Sequence, residues 1–99
     1  MDSETLQWIK NLIATNRLEE FYTSPQWRRI RKEILQEQHY ECQVAKGEGH
    51  YEAATTVHHV IPLREAPWLA FDKSNLIAVS AEAHWKIHHR GKNWDDERW

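Results

Sequence analysis

The stretch Thr55-Thr56-Val57-His58-His59-Val60, followed by Ile61-Pro62-Leu63, decides the reading of this chain. Apart from its two histidines, Thr55 to Val60 is β-branched, which predicts a strand that ends near Pro62. Pro62 and Pro67 then bracket a loop that runs to about Ser74. Asn75-Leu76-Ile77-Ala78-Val79 is a second short apolar run, read as the partner strand. Ser80 can cap a final helix from Ala81 to about Arg90, with Gly91 just past its end. The core order is therefore helix, strand, long loop, strand, helix. Upstream, Ser24-Pro25 is a strong helix start, and Trp27, Ile30, Ile34 and Leu35 form its apolar face until a stop near His39. Residues 2–15 read as an amphipathic helix with Leu6, Ile9, Leu12 and Ile13 on one stripe and Asp2 or Ser3 as its cap. Residues 40–53 read as irregular or weak hairpin material broken by Gly47 and Gly49.

The chain has 99 residues, room for one core. Hydrophobic content of 40% and charged content of 28% describe a globular composition rather than a disordered one. No apolar run reaches the ~20 residues a bilayer span needs, and no secretory signal pattern opens the chain, so no membrane partner is expected. One cysteine, Cys42, excludes an internal disulfide and any Cys-rich finger and points to a reducing cytoplasm. The formal charge of −2 excludes a basic coat protein. Positive charge concentrates in Arg28, Arg29, Arg31 and Lys32, and again in Lys86, Arg90 and Lys92 among histidines. Arg29 and Glu33 also have the spacing of an ordinary solvated i,i+4 pair.

Six Trp and seven His stand out in a chain of this size. His84 and His88 are i and i+4 on the final helix and project from one face, the spacing by which two imidazoles share a metal ion. A third donor comes from His58 or His59. Neighbours in a strand point to opposite faces, so one of that pair binds metal and the other stays close by as a proton acceptor. Asn75 is placed to hydrogen-bond that acceptor and orient it. An unperturbed imidazole titrates near ~6.5, and a neighbouring cation moves it down. His39, His50 and His89 show no ligand pattern.

Trp27-Arg28-Arg29-Ile30-Arg31, Cys42, His58-His59-Val60-Ile61-Pro62-Leu63, Asn75-Leu76 and His84-x-x-x-His88 together resemble the HNH endonucleases, small phage-encoded members above all. The His-His, Asn, His-x-x-x-His order is also similar to that of colicin-type DNases. The resemblance covers roughly residues 21–90. It implies an α+β fold, the ββα-metal motif with additional N-terminal helices: a helical extension at 1–20, a nuclease domain at 21–92 and a Trp-bearing acidic tail at 93–99. It implies His58, His84 and His88 as metal ligands, His59 as general base, and Asn75 as the residue supporting the motif's loop and the base. Many phage members hold a structural zinc in two Cys-x-x-Cys pairs. Here those positions read Cys42-Gln-Val-Ala45 and Ser80-Ala-Glu-Ala83, so no structural zinc is expected.

The expectation is a metal-dependent DNA endonuclease of low sequence specificity, with Arg28, Arg31, Lys32, Arg64, Lys86 and Arg90 contacting phosphates. Three imidazoles favour Mn²⁺, Co²⁺, Ni²⁺ or Zn²⁺ over Mg²⁺. The resemblance further implies work beside terminase during phage DNA packaging in the bacterial cytoplasm. The alternatives are a non-catalytic His-rich metal-binding module that docks DNA or a phage protein, and an interaction protein that uses its Trp-rich termini.

Overall fold

In the computed structural model, α1 covers Ser3–Ala14 and α2 Leu18–Tyr22. Next come α3 (Pro25–Glu37), α4 (Gln43–Gly47), β1 (Thr56–His59), β2 (Leu76–Val79) and α5 (Ala81–Arg90). The structure describes residues 1–90. The side chains of His88, His89 and Arg90, the Gly91 stop and the tail at 93–99 lie outside the described residues. Among the described residues no helix is long and apolar enough to cross a membrane.

Local chemistry sets the helix ends. The Asp2 carboxylate accepts from Thr5 N at 2.7 Å, one of the donors a helix start leaves open. Ser24 does the same for Trp27 N at 3.2 Å, and its hydroxyl donates back to Phe21 O at 2.6 Å. That double use fastens the start of α3 to the end of α2. α3 stops where His39 and Tyr40 enter the left-handed region, with φ of 58° and 53°.

Two short helices depart from the sequence reading. α2 has no side-chain cap and is only five residues long, but it buries Leu18, Phe21 and Tyr22. Residues 40–53, expected as irregular or hairpin material, hold α4 between the arms of a single bridge, Glu41 to Ala53. Cys42 caps α4 through its sulfur, which accepts from Ala45 N at 3.5 Å. Gly49, at φ 87°, turns the chain back toward the bridge.

β1 and β2 pair antiparallel, with Val57 opposite Ala78, His58 opposite Ile77 and His59 opposite Leu76. The outer edge of β2 is closed by one side chain from the end of α3. The Gln38 amide accepts from Ala78 N at 2.7 Å and donates to Leu76 O at 3.2 Å, filling the place of a third strand. The main core lies on one side of the hairpin and joins Ile9 and Leu12 of α1 to Phe21, Trp27, Ile34 and Val57. Residue 20, where the sequence reading ends its N-terminal extension, falls inside α2. A second cluster on the α5 side holds Cys42, Ala45, Val79 and Ala83.

Candidate metal and proton-transfer site

The hairpin carries His58 and His59 at the last two positions of β1, and the pleat sends them apart. His58 turns toward α5, where its ring meets His84 edge to face with centroids 5.1 Å apart. Both rings are buried, His84 fully. His84 sits one turn into α5, whose start is fixed by Ser80. The Ser80 hydroxyl accepts from Ala83 N at 3.0 Å and donates to Glu52 Oε1 at 2.6 Å. That bond, with a second from His50, holds the Glu52 carboxyl below its ordinary range. The bridge segment at Glu52 is thereby tied to the helix that presents His84.

Two imidazoles from a strand end and a facing helix suit a first-row divalent ion, which binds imidazole nitrogen at about 2.0–2.1 Å in the case of zinc. Among the described residues no third His, Cys, Asp or Glu joins them. The third ligand expected from the sequence, His88, lies one turn further along α5, and its side chain is outside the described residues.

His59 faces the opposite way and is 1% exposed. Its ring lies nearly parallel to the Trp27 indole, with centroids 4.9 Å apart and planes 21° apart. Phe21 and Tyr22 stand at 6.1 and 6.2 Å from the same ring. Nε2 makes a hydrogen bond of 3.1 Å to Ala70 O. Burial disfavours the imidazolium, so the His59 pKa falls from 6.5 to about 4, against the opposing pull of the Ala70 carbonyl. The sequence reading put the second histidine close to the metal side and ascribed its lowered pKa to the cation. The structure puts it in an aromatic box, and desolvation lowers the pKa there.

Asn75 was expected to orient His59 directly. Its side chain goes to the loop instead, because that loop leaves β1 at Val60 with peptide groups that no strand pairs. Asn75 Oδ1 accepts from Ile61 N at 2.8 Å, and Nδ2 donates to Ile61 O at 3.1 Å. The Asn75 carbonyl accepts from Val60 N at 2.9 Å. Three bonds from one residue thus fix the turn immediately after the two histidines.

The basic residues divide. Arg28, Arg29 and Lys32 lie exposed on α3. Arg31 is half-buried and donates to Thr55 O at 2.7 Å, bracing the start of β1. Arg64 is half-buried, with one donor 3.4 Å from Asn16 Oδ1. Lys86 is exposed and pairs with Glu82 at 3.4 Å. Arg90 lies outside the described side chains. The Arg29–Glu33 pair suggested by spacing does not form, because Lys73 from the long loop takes Glu33 at 3.1 Å and also binds Glu37.

The sequence reading also missed Trp27 as a neighbour of His59, treating it as core alone. Its nearness to Arg28 to Arg31 carried no such signal, because the contact joins residues more than thirty positions apart.

No protein-family model and no curated protein matches the chain. A solved structure does: the HNH endonuclease of the deep-sea thermophilic bacteriophage GVE2 with manganese ion. The TM-score is 0.72 at 27% sequence identity, over 91% of this chain and 94% of that one. The likeness spans both proteins almost end to end, so in its two-strand and helix arrangement this chain is similar to a phage HNH endonuclease.

Proposed function

We propose that this endonuclease is metal-dependent and hydrolyses phosphodiester bonds of DNA with little sequence preference. The observation that carries the proposal is the meeting of His58 and His84 where β1 faces α5, in a fold whose phage neighbour contains manganese. His58 and His84 would hold the divalent ion, with His88 as the third ligand. Once bound, the ion supplies positive charge that polarises the scissile phosphate and stabilises the departing 3′ oxygen. His59 takes a proton from the attacking water as the water oxygen bonds to phosphorus. The P–O3′ bond breaks and the departing 3′ oxygen takes a proton from solvent water, leaving a 5′-phosphate and a 3′-hydroxyl. At neutral pH His59 is the unprotonated imidazole this step needs, since burial keeps it so. Asn75 holds the turn at Ile61 and so keeps the end of β1 in place.

Arg28 and Lys32, exposed on α3 together with Arg29, are available to backbone phosphates. A place beside terminase in phage DNA packaging is part of this proposal, suggested by the likeness to a phage protein. An imidazole-rich set without an acidic ligand favours Mn²⁺, Co²⁺, Ni²⁺ or Zn²⁺, and His58→Asp should move the preference toward Mg²⁺.

A second reading takes its support from the depth of His59. If that ring only braces the fold, the protein is a metal-binding module that docks DNA without cutting it. Plasmid nicking across Mg²⁺, Mn²⁺, Co²⁺, Ni²⁺ and Zn²⁺ separates the two. The nuclease reading predicts nicking that His59→Ala abolishes. DNA and metal binding with no nicking in any ion would favour the module.

A further inference from the structure

We propose that the groove between the start of α1, the first turns of α3 and the long inter-strand loop is a subsite for one unpaired nucleotide of DNA: its base stacks on the indole of Trp68, its N–H edge meets Asp2 and Asp72, and its phosphate meets Arg29. The inference rests on the reading of the chain as a DNA nuclease and deepens it, naming the kind of DNA the protein prefers.

The groove encloses about 490 Å³, within the ~300–1,000 Å³ common for sites that take a small ligand. Trp68 lines it from the 3₁₀ turn Pro67–Leu69, and is 56% exposed although Pro67 and Ala70 beside it are buried. Its indole makes no ring contact or hydrogen bond among the described residues. Phe71, further along the same loop, also lines the groove and stacks on Phe21 at 5.4 Å. That stack anchors the loop wall of the groove in the core.

The polar lining is uncommitted in the same way. The side chains of Gln26 and Arg29 make no hydrogen bond or ion pair among the described residues. Arg29 is left exposed because Lys73 takes Glu33, its i+4 neighbour. Asp2 and Asp72 each use Oδ1 to start a helical turn, accepting from Thr5 N at 2.7 Å and from Ser74 N at 2.9 Å. Hydrogen bonds from Thr5 and from Ser74 hold the two carboxyls below the ordinary carboxylate range, so both are charged. Each keeps Oδ2 for a donor from outside.

This combination selects the occupant. A run of duplex phosphates would be repelled by the two carboxylates. An apolar side chain of a partner would leave three charges without a counterpart. An unpaired nucleotide answers every group: a flat face for Trp68, N–H donors on the base edge for the carboxylates, and a phosphate for Arg29. Once paired, the same nucleotide has its edge taken by the opposite base and its faces by its neighbours in the stack, and only the phosphate remains.

Fluorescence anisotropy tests this with two labelled DNAs, a duplex and the same duplex carrying one bulged, unpaired guanosine, in EDTA so that neither is cut. The wild type should bind the bulged duplex about tenfold more tightly, the scale of one base–aromatic stack. Trp68→Ala should erase that preference, whereas Trp68→Phe keeps a flat face and should retain most of it. Arg29→Gln should weaken binding to the bulged duplex and lower its salt slope by about one phosphate contact. Circular dichroism checks the fold of each variant, and the wild-type comparison stands by itself where a variant does not fold. Equal affinity of the wild type for the two DNAs overturns the inference, as does a folded Trp68→Ala that keeps the preference; plasmid nicking by the same protein then leaves the nuclease reading in place. Binding to neither DNA, with no plasmid nicking in any ion, overturns that reading and the inference with it.

Discussion

His58 and His59 are neighbours in sequence, yet they live in opposite surroundings. On one face of β1, His58 meets a second imidazole from a helix that is set by Ser80 and backed by small residues. On the other, His59 is enclosed by Trp27, Phe21 and Tyr22 and bonded to a backbone carbonyl. The first face gathers nitrogen donors and suits a cation. The second excludes water and keeps its imidazole neutral. The pleat of a single strand thereby gives two identical side chains different chemistry.

Removing one member from each face should separate their roles most strongly. His84→Ala should remove metal binding and cleavage together. His59→Ala should lower kcat by about 10²–10⁴-fold, the usual worth of a general base, at saturating metal. Plasmid nicking kinetics at high and low Mn²⁺ read both effects. Equal rescue of the two variants by excess Mn²⁺ would erase the distinction between the faces.

The enclosed face also predicts an acid-sensitive fold. His59 titrates near 6.5 when unfolded and at about 4 when folded, so between those values only the unfolded chain takes up the proton. Stability is therefore full above the unfolded value and falls as pH drops toward 4, by at most about 3 kcal/mol. Denaturant midpoints from pH 7 to 4 should show that loss, and His59→Phe should flatten it. A wild-type midpoint unchanged over this range would mean that His59 is not held neutral by burial.

Smaller effects belong to the pieces that join the two faces. Asn75→Ala removes both side-chain bonds to Ile61 and should cost about 1–2 kcal/mol in chemical denaturation, since the half-exposed turn can recruit water. Asn75→Asp keeps the acceptor for Ile61 N and should lie between. Ser80→Ala removes the cap of α5 and the link to Glu52, and should cost about 1 kcal/mol. A Ser80→Ala cost above that of Asn75→Ala would mean the α5 face, rather than the turn, is the more cooperative part.

Much of this arrangement is legible in the chain. Ser24-Pro25, the β-branched run around the two histidines and the His84-x-x-x-His88 spacing are local patterns, and the elements they predict form within a residue or two. The opposition of His58 and His59 is legible as well, because strand geometry imposes it. What stays hidden depends on partners distant in sequence. α2 and α4 are five residues each, too short for a helical period, and tertiary burial stabilises them. Arg31 reads as a phosphate contact, and only the fold shows that it also donates to Thr55 O. Lys73 carries no signal in the sequence, yet it captures Glu33 and Glu37 from α3. The aromatic box is invisible for the same reason, since Trp27, His59 and Ala70 come from three separate elements.

The division between the two histidines is tested most directly by calorimetric titration of Mn²⁺ into the wild type, His58→Ala, His84→Ala and His59→Ala. The account predicts that His59→Ala binds Mn²⁺ within a few-fold of the wild type, while His58→Ala and His84→Ala each lose at least about 10–100-fold in affinity. Loss of Mn²⁺ binding in His59→Ala as complete as in His84→Ala would contradict it.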